Sequence, residues 1–388
     1  MKILHTSDWH LGHTLYNYDR TEEQAAMLLQ MVNIVKAEQP DVFLLCGDVY
    51  HTSQPSAAVQ TMLANALVDI HDANPQMHMV ITAGNHDSSS KHEIFRTPWK
   101  AMKVHVIGSI DKESVEKHII EIPGKGFIIA VPYASERNLS EGFFQKLLDA
   151  VSERNTEGLP VVMTAHMTVK GCDFTGHDYA SEYSVGGIDS FDIERMGDGY
   201  DYLALGHIHH EQFVHTGKHN VRYSGTPLAV SFDETYEHSV SMVEIEKHGC
   251  RPEVTQIKIE NPHPLVTLPT DGLASWEEAK NLLANFPDDI PAYIRLLVEI
   301  EDFLPVEANT EAVALTAGKQ CRFCHIHAKR KDVQKAEAKV LTVEEFQAER
   351  PIDIASRYAD DIGVKFDDEM KLLFNEALSM LNEDLCNN

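Results

Sequence analysis

Residues 2–12 read Lys-Ile-Leu-His-Thr-Ser-Asp-Trp-His-Leu-Gly, a short apolar strand running straight into Asp8-x-His10. The same pattern returns four times. Val42–Cys46 leads into Gly47-Asp48, with His51 just beyond; His78–Ala83 leads into Gly84-Asn85-His86-Asp87. Val161–Thr164 leads into His166, and Tyr202–Leu205 into Gly206-His207-Ile208-His209. Near-continuous apolar runs of this length are strands covered on both faces. Further strands are expected at Val104–Ile107 and Phe127–Val131, and more alternating ones at Arg222–Tyr223 and Ser239–Ile245. Glu22–Glu38 and Ser56–Ala73 carry apolar residues at helical spacing between strands, so the fold class is α/β, built in layers. Ligands of such sheets bind outside the carboxyl ends of the strands, where five ends can converge. One His at a strand end is ordinarily a satisfied polar residue, and one Gly-Asp a turn. Five such ends in one chain point to a site. Carboxylate, imidazole and amide without thiolate suit Mn²⁺, Fe²⁺ or Zn²⁺ better than Mg²⁺ or Ca²⁺. Seven donors are too many for one ion and about right for two.

Composition sets the outer limits. The chain has 388 residues, room for two or three domains at ~100–200 residues each. Apolar residues make up 43% and charged residues 24%, an ordinary globular share. No apolar run approaches the ~18–20 residues that span a bilayer, and the first residues lack the basic and apolar regions of a signal peptide. Coiled coil, collagen, disorder and membrane protein are excluded as classes, and a cytoplasmic protein is expected. Six cysteines are too sparse for a disulfide framework, so reduced thiols are expected. The net charge of −27 opposes nucleic-acid binding through the overall field.

Three prolines between Asn261 and Pro269 mark a boundary. The expected organisation is residues 1–260, then a small α+β unit over 265–340, then a helical segment over 341–388. In the small unit Trp276–Asn285 reads as a helix, and Ala292–Ile300 and Cys321–His327 as strands. The last segment has a capping-box sequence at Thr342–Glu345 and an apolar stripe of Met370, Leu373, Phe374, Ala377, Leu378 and Leu381. Residues 319–339 hold seven Lys/Arg against Asp332 and Glu337; Lys329, Arg330 and Lys331 are the candidate DNA contacts there, a solvated face being the alternative.

The five motifs resemble the signature of calcineurin-like metallophosphoesterases. Within that superfamily, His-Thr-Ser-Asp-Trp-His-Leu-Gly (5–12), Gly-Asp-Val-Tyr-His-Thr-Ser-Gln-Pro-Ser (47–56) and Leu-Gly-His-Ile-His-His (205–210) resemble the nuclease subunits of bacterial SbcCD complexes. These are relatives of the eukaryotic double-strand-break repair nuclease. The stretch from Arg222 to Glu234 resembles the segment after the last metal motif in those subunits. The resemblance is specific over residues 1–235. Beyond that, only architecture matches the group's DNA-capping domain and the tail that docks on its ATPase. It implies a two-layered sheet sandwich flanked by helices and two divalent ions, most readily Mn²⁺. Asp8, His10, Asp48 and His209 would hold one ion, and Asp48, Asn85, His166 and His207 the other, with Asp48 shared. His86, next to a ligand and not needed as one, would be the general acid, oriented by Asp87 or a nearby carbonyl. His51 would touch the scissile phosphate or cap a turn.

The implied activity is a DNA nuclease, a 3′→5′ double-strand exonuclease and a single-strand or hairpin endonuclease. It would act with an SbcC-type ATPase in DNA repair, recombination and replication, as a homodimer within a heterotetramer. The dimer would use Ser56–Ala73 and a helix over residues 91–103 carrying Phe95, Trp99 and Met102, unless these pack on the chain's own core. The rivals are a phosphomonoesterase or cyclic-nucleotide phosphodiesterase of the same fold, and a non-catalytic assembly subunit, against which stand the seven intact ligand positions. Cys321-Arg-Phe-Cys324-His325 matches a haem-attachment pattern and offers zinc-type donors, but an ordinary strand is the expected reading.

Overall fold

The apolar run after Met1 forms strand β1 (Lys2–Thr6), whose residues 3–6 are buried. The computed structural model describes residues 1–331 apart from 95, 135–137, 176–189 and 216–217, together with 352, 355, 356, 359, 366, 367 and 370–374. Two compact units divide the chain, Met1–Arg330 and Lys331–Asn388.

In the first unit, β1 sits near the middle of a six-stranded sheet of order β14-β13-β1-β4-β5-β6. Here β4 is Val42–Cys46, β5 His78–Thr82, β6 Val104–Ile107, β13 Ser239–Glu244 and β14 Glu253–Lys258. β1, β4, β5 and β6 run parallel, while β13 lies antiparallel to β1. A second six-stranded sheet has the order β11-β12-β10-β9-β8-β7. Its strands are β7 (Ile119–Ile122), β8 (Gly126–Ala130), β9 (Val161–His166), β10 (Tyr202–Gly206), β11 (Gln212–Phe213) and β12 (Val221–Tyr223). From β8 to β12 neighbouring strands are parallel.

The two sheets pack face to face. Ile3, Val42, Leu44 and Val80 of one meet Ile128, Ala130, Val162 and Tyr202 of the other in one buried cluster. Helices α1 (Thr21–Glu38) and α2 (Ala57–Ala73) cover the outer face of the first sheet through Met27, Met31, Leu63, Leu67 and Ile70. Helix α5 (Phe143–Arg154) covers the second through Phe144, Leu147 and Val151. Continuous apolar strands are therefore required at the centre of each sheet, where β1, β4, β9 and β10 have no wet face, whereas the edge strand β14 is polar and largely exposed. The same reason corrects the expectation for Arg222–Tyr223 and Ser239–Ile245: β12 is wholly buried and β13 buried over five of six residues. Polar groups at the sheet interface are paired. His5 bonds Tyr202 Oη at 3.0 Å and the Leu205 carbonyl at 3.2 Å, and burial drives its pKa down to about 3, so it is neutral.

A third, all-parallel sheet, β15 (Leu265–Leu268), β16 (Tyr293–Ile300) and β17 (Arg322–Arg330), forms a small α+β body with helices Trp276–Ala284 and Ala308–Thr316. The proline-rich boundary thus already contains a strand. A bulge between Ile294 and Arg295 leaves Cys324 as the extra residue of β17, and among the described residues no metal-type cluster forms around it. The body is tied to the sandwich. Tyr293 Oη donates to Glu23 at 2.6 Å, Arg295 to Asp233 at 2.6 Å and Tyr18 Oη to the Phe323 carbonyl at 2.9 Å.

Of the helical tail, residues 370–374 are helical, while Thr342–Glu345 and residues 375–388 lie outside the described residues. Phe95 does too; Trp99 and Met102 pack partly on the chain's own core. No helix among the described residues is long and apolar enough to cross a membrane. Leu44 is the most direct test of the packing between sheets. Leu44→Ala should lower unfolding free energy by about 2–5 kcal/mol, read as a lower urea midpoint at unchanged slope.

Candidate metal centre

The parallel strands of both sheets end at one edge, and the chain turns sharply there. Asp8, His10, Asp48 and His207 all have positive φ (54°, 44°, 47° and 97°), a left-handed conformation that side chains other than glycine adopt at a cost of about 1–3 kcal/mol. Four strained residues at three strand ends, those of β1, β4 and β10, are a recognised mark of a functional edge. The strain is held by parallel pairing that runs past the strands: Asp8 N donates to the Gly47 carbonyl, His10 N to Asp48 and Leu11 N to Val49, each at 3.0 Å.

Three glycines make the convergence possible. A Cβ on Gly84 would collide with the Asp48 carboxylate, one on Gly47 with the His166 ring, and one on Gly206 with the Cys46 carbonyl. Gly47 and Gly84 are therefore packing requirements of another motif's side chain, and Gly206 of the close approach of the Cys46 backbone.

Among the described residues the side chains then meet in three groups, two of which include carboxylates. Asp8, His10 and His209 bring ligand-type atoms within 4.8 Å of one another, and so do Asp48, His166 and His207. Asn85 Oδ1 joins the second group, 3.0 Å from His166 Nε2 and 3.0 Å from His207 Nδ1. Asp48 Oδ2 lies between the groups, 3.4 Å from His166 Nε2 and 3.9 Å from His10 Nε2. Backbone amides aim both carboxylates: His86 N donates to Asp48 Oδ1 at 2.9 Å, and His207 N to Asp8 at 3.1 Å.

The donor set fits divalent cations. Asp8 and Asp48 are buried, and among the described residues their ion pairs are with histidines. Burial favours the uncharged imidazoles, but Asp48 beside His166, and Glu234 beside His209, outweigh it and push each pKa up to about 9. Burial works to raise the Asp48 pKa as well, yet the facing histidines hold it below the usual carboxylate range. This pocket demands positive charge. His10 Nε2 and His209 Nε2 face each other at 3.2 Å, and the buried His10 Nδ1 has no hydrogen-bond partner. Converging imidazole nitrogens beside carboxylates are the geometry a cation satisfies.

His86 falls in a third such group, with His51 and with His10 of the first, on the more exposed side of the pocket. Its Nδ1 bonds the His51 carbonyl at 2.9 Å, leaving Nε2 toward the site, 4.0 Å from Asp48. Its side chain is 31% exposed where His166 is 0%, so it can reach an incoming group. The orienting group is the carbonyl and not Asp87. The Asp87 carboxylate instead accepts from the amides of Val49, Tyr50 and Gly84 and faces His92 Nε2 at 3.3 Å, bracing the second motif against the third. The His51 ring lies 24° from the plane of His86 at 5.7 Å, at the rim of the same pocket. All nine candidates from Asp8 to His209 are brought to one edge.

Lys329 and Arg330 are exposed at the end of β17, and Lys331, exposed as well, is the first residue of the second unit. Two other cations of that window serve the fold. Lys319 Nζ caps the helix Trp276–Ala284 by donating to the Ala284 and Phe286 carbonyls, and Arg322 lies over the rings of Tyr18 and Tyr293. Lys335 and Lys339 lie outside the described residues, as does most of the Gly171–Gly187 stretch expected near the site mouth.

Residues 1–211 match the family model described as calcineurin-like phosphoesterase. Among curated proteins, the chain is 29% identical to the D subunit of the SbcCD nuclease of Bacillus subtilis, with 99% of both chains covered. It is 30% identical to that of Staphylococcus saprophyticus over 66% of this chain and 69% of the relative. Against its Rhodobacter capsulatus counterpart it is 29% identical, covering 72% and 74%.

The place of Asp48 between the two groups yields a test. If each group holds an ion, then in manganese titrations followed by calorimetry Asp48→Asn should weaken both ions, and His10→Ala mainly one. Equal loss of stoichiometry in the two variants would contradict the division into two groups.

Proposed function

The chain belongs to the calcineurin-like phosphoesterase family, alongside the D subunits of SbcCD nucleases, and on that footing we propose that it is a metal-dependent DNA nuclease subunit. It hydrolyses phosphodiesters with two divalent ions, Mn²⁺ by preference. The observation that carries this reading is the pair of buried ligand groups meeting at Asp48. Asp8, His10, Asp48 and His209 would hold one ion, and Asp48, Asn85, His166 and His207 the other. Such ions, when bound, activate water and neutralise charge on a phosphoryl oxygen.

The chain's own residues do the rest. His86 Nδ1–H donates to the His51 carbonyl, and its Nε2 offers a proton to the leaving oxygen. His51 sits beside it as a contact for the scissile phosphate. On this reading the protein is cytoplasmic and works with an SbcC-type ATPase as a homodimer within a heterotetramer, as a 3′→5′ exonuclease on duplex ends and an endonuclease on single strands and hairpins. The exposed Val68 on α2 and Ile94 on α3 (Ser89–Ile94) support the dimer face. Residues 1–260 form the catalytic domain, 265–340 the DNA-capping domain, with Lys329, Arg330 and Lys331 as phosphate contacts, and 341–388 the segment that docks on the ATPase.

Two experiments test this. His86→Gln should keep both ions and DNA binding but lose cleavage by about 10²–10⁴-fold; loss of an ion would make His86 a ligand instead. With Mn²⁺, the purified chain should nick circular single-stranded DNA and barely turn over p-nitrophenyl phosphate. The reverse preference would identify a phosphomonoesterase.

A further inference from the structure

The chain leaves the metal centre through the hairpin Thr14–Asp19, whose turn residues Tyr16 and Asn17 both have positive φ, 48° and 70°. A bulky side chain takes that conformation at a cost, and asparagine or glycine is the usual residue there. Tyr16 is nevertheless 47% exposed. Its ring stacks on that of His325 in β17, centroids 4.3 Å apart and planes 16° apart, and Tyr16 Oη lies 3.2 Å from His325 Nε2. Behind His325 stands the buried Phe232, its ring 5.7 Å away and steeply tilted. Arg295 locks Phe232 in turn, with its guanidinium 5.2 Å from the ring centroid and a hydrogen bond to the Phe232 carbonyl at 3.0 Å. Burial and the charges of Arg295 and His327 push the His325 pKa down to about 4, so this imidazole acts as a neutral ring at pH 7.

An aromatic ring backed by a second ring and reaching solvent is a platform for a planar aromatic ligand. On the proposed function the ligand at hand is DNA. Bases of an intact duplex are already stacked on one another, so a protein ring takes one only where it is unpaired. The platform also adjoins the reaction. Tyr16 follows His13 by three positions, so the two Cα atoms are at most about 11 Å apart. The His13 ring meets that of His51 edge-on at 4.7 Å. At ~3.4 Å per nucleotide the platform is within about three steps of strand from there. Past it, β17 carries on in the same direction. The helices of the small body cover the face of Leu296, Val298 and Ile326, and the alternate residues His325, His327 and Lys329 lie on the other. His327 and Lys329 are exposed, with Glu299 the register partner of Lys329. A strand lying there meets a ring first and a cation beyond it.

We propose that Tyr16, backed by His325, is a substrate-binding residue that stacks on one unpaired base of the DNA strand being cut. The proposal rests on the nuclease reading above and names the form in which the substrate is held, a single strand or an opened end. Every base offers a π-face, so the contact selects unpaired over paired DNA and not one sequence over another.

The test is cleavage of labelled single-stranded oligonucleotides by the purified full-length chain with Mn²⁺, each oligonucleotide carrying one abasic nucleotide at a different place. For wild type, one abasic position within about three nucleotides of the cut should lower kcat/KM by roughly 5–150-fold, the worth of one base–ring stack. Exchanging the base at that position should change kcat/KM by no more than about threefold. Tyr16→Asn removes the ring and leaves a residue type that takes the left-handed turn readily. It should lower kcat/KM on the intact oligonucleotide by the same factor and erase the abasic penalty. Tyr16→Phe, which restores a ring, should restore the penalty. An asparagine variant that cuts less yet keeps the full penalty would make Tyr16 structural and overturns the proposal, as does a wild-type scan with no sensitive position. Should Tyr16→Asn fail to fold, 5-iodouracil at the sensitive position decides it with wild type: a photo-cross-link to Tyr16 supports the proposal, and one elsewhere, or none, overturns it. Wild type that cuts none of the oligonucleotides would instead reveal failure of the nuclease reading itself, and the proposal would fall with it.

Discussion

Asp48 is the constraint on which the site depends. Its carboxylate is buried where the ends of both sheets meet, and it faces histidines from three other motifs. To bring it there, the chain accepts a left-handed aspartate after β4 and leaves Gly84 without a side chain. His86 N and the Asp87 brace then hold the third motif against the second. The face-to-face packing of the sheets supplies the rigidity, because β4 and β9 lie on opposite sides of one apolar layer through Leu44 and Val162. An arrangement this strained persists only when its surroundings determine it from several sides.

Much of this is legible in the sequence, since the decisive signals are local. An apolar run of five residues followed by Gly-Asp or Gly-His-x-His carries strand, turn and ligand in one window, and the strands β1, β4, β5, β6, β9 and β10 begin as expected and end within two residues of expectation. What escapes is what local pattern does not encode. Helix α5 starts after a left-handed Gly142 with no side-chain cap, so it lacks the usual opening signal. The hairpin Thr14–Asp19 has strands of two residues, too short for any period. Glu234 reaches His209 across 25 positions of chain, and one acid among sixty gives no sign of such a partner. The role of Asp87 is equally invisible, because its partners are backbone amides, which every residue but proline possesses.

Charge follows the same logic of placement over totals. At −27 the chain repels a polyanion at long range. Its buried edge, by contrast, gathers Asp8, Asp48 and Glu234 around imidazoles, so the negative charge there acts on cations within ligand distance. Two cations of the basic window are committed to holding the small α+β body together. On the proposed function, bound metal and the exposed Lys329–Lys331 cluster are the groups that meet phosphate, and the ATPase partner supplies the remaining attraction.

Whether two ions share one carboxylate is tested most directly by anomalous diffraction at the manganese edge, from crystals of this chain grown with Mn²⁺. Two peaks are expected, one beside Asp8, His10 and His209, the other beside Asn85, His166 and His207, both within bonding distance of Asp48. A single peak, or a pair that does not share Asp48, would contradict the shared-carboxylate site.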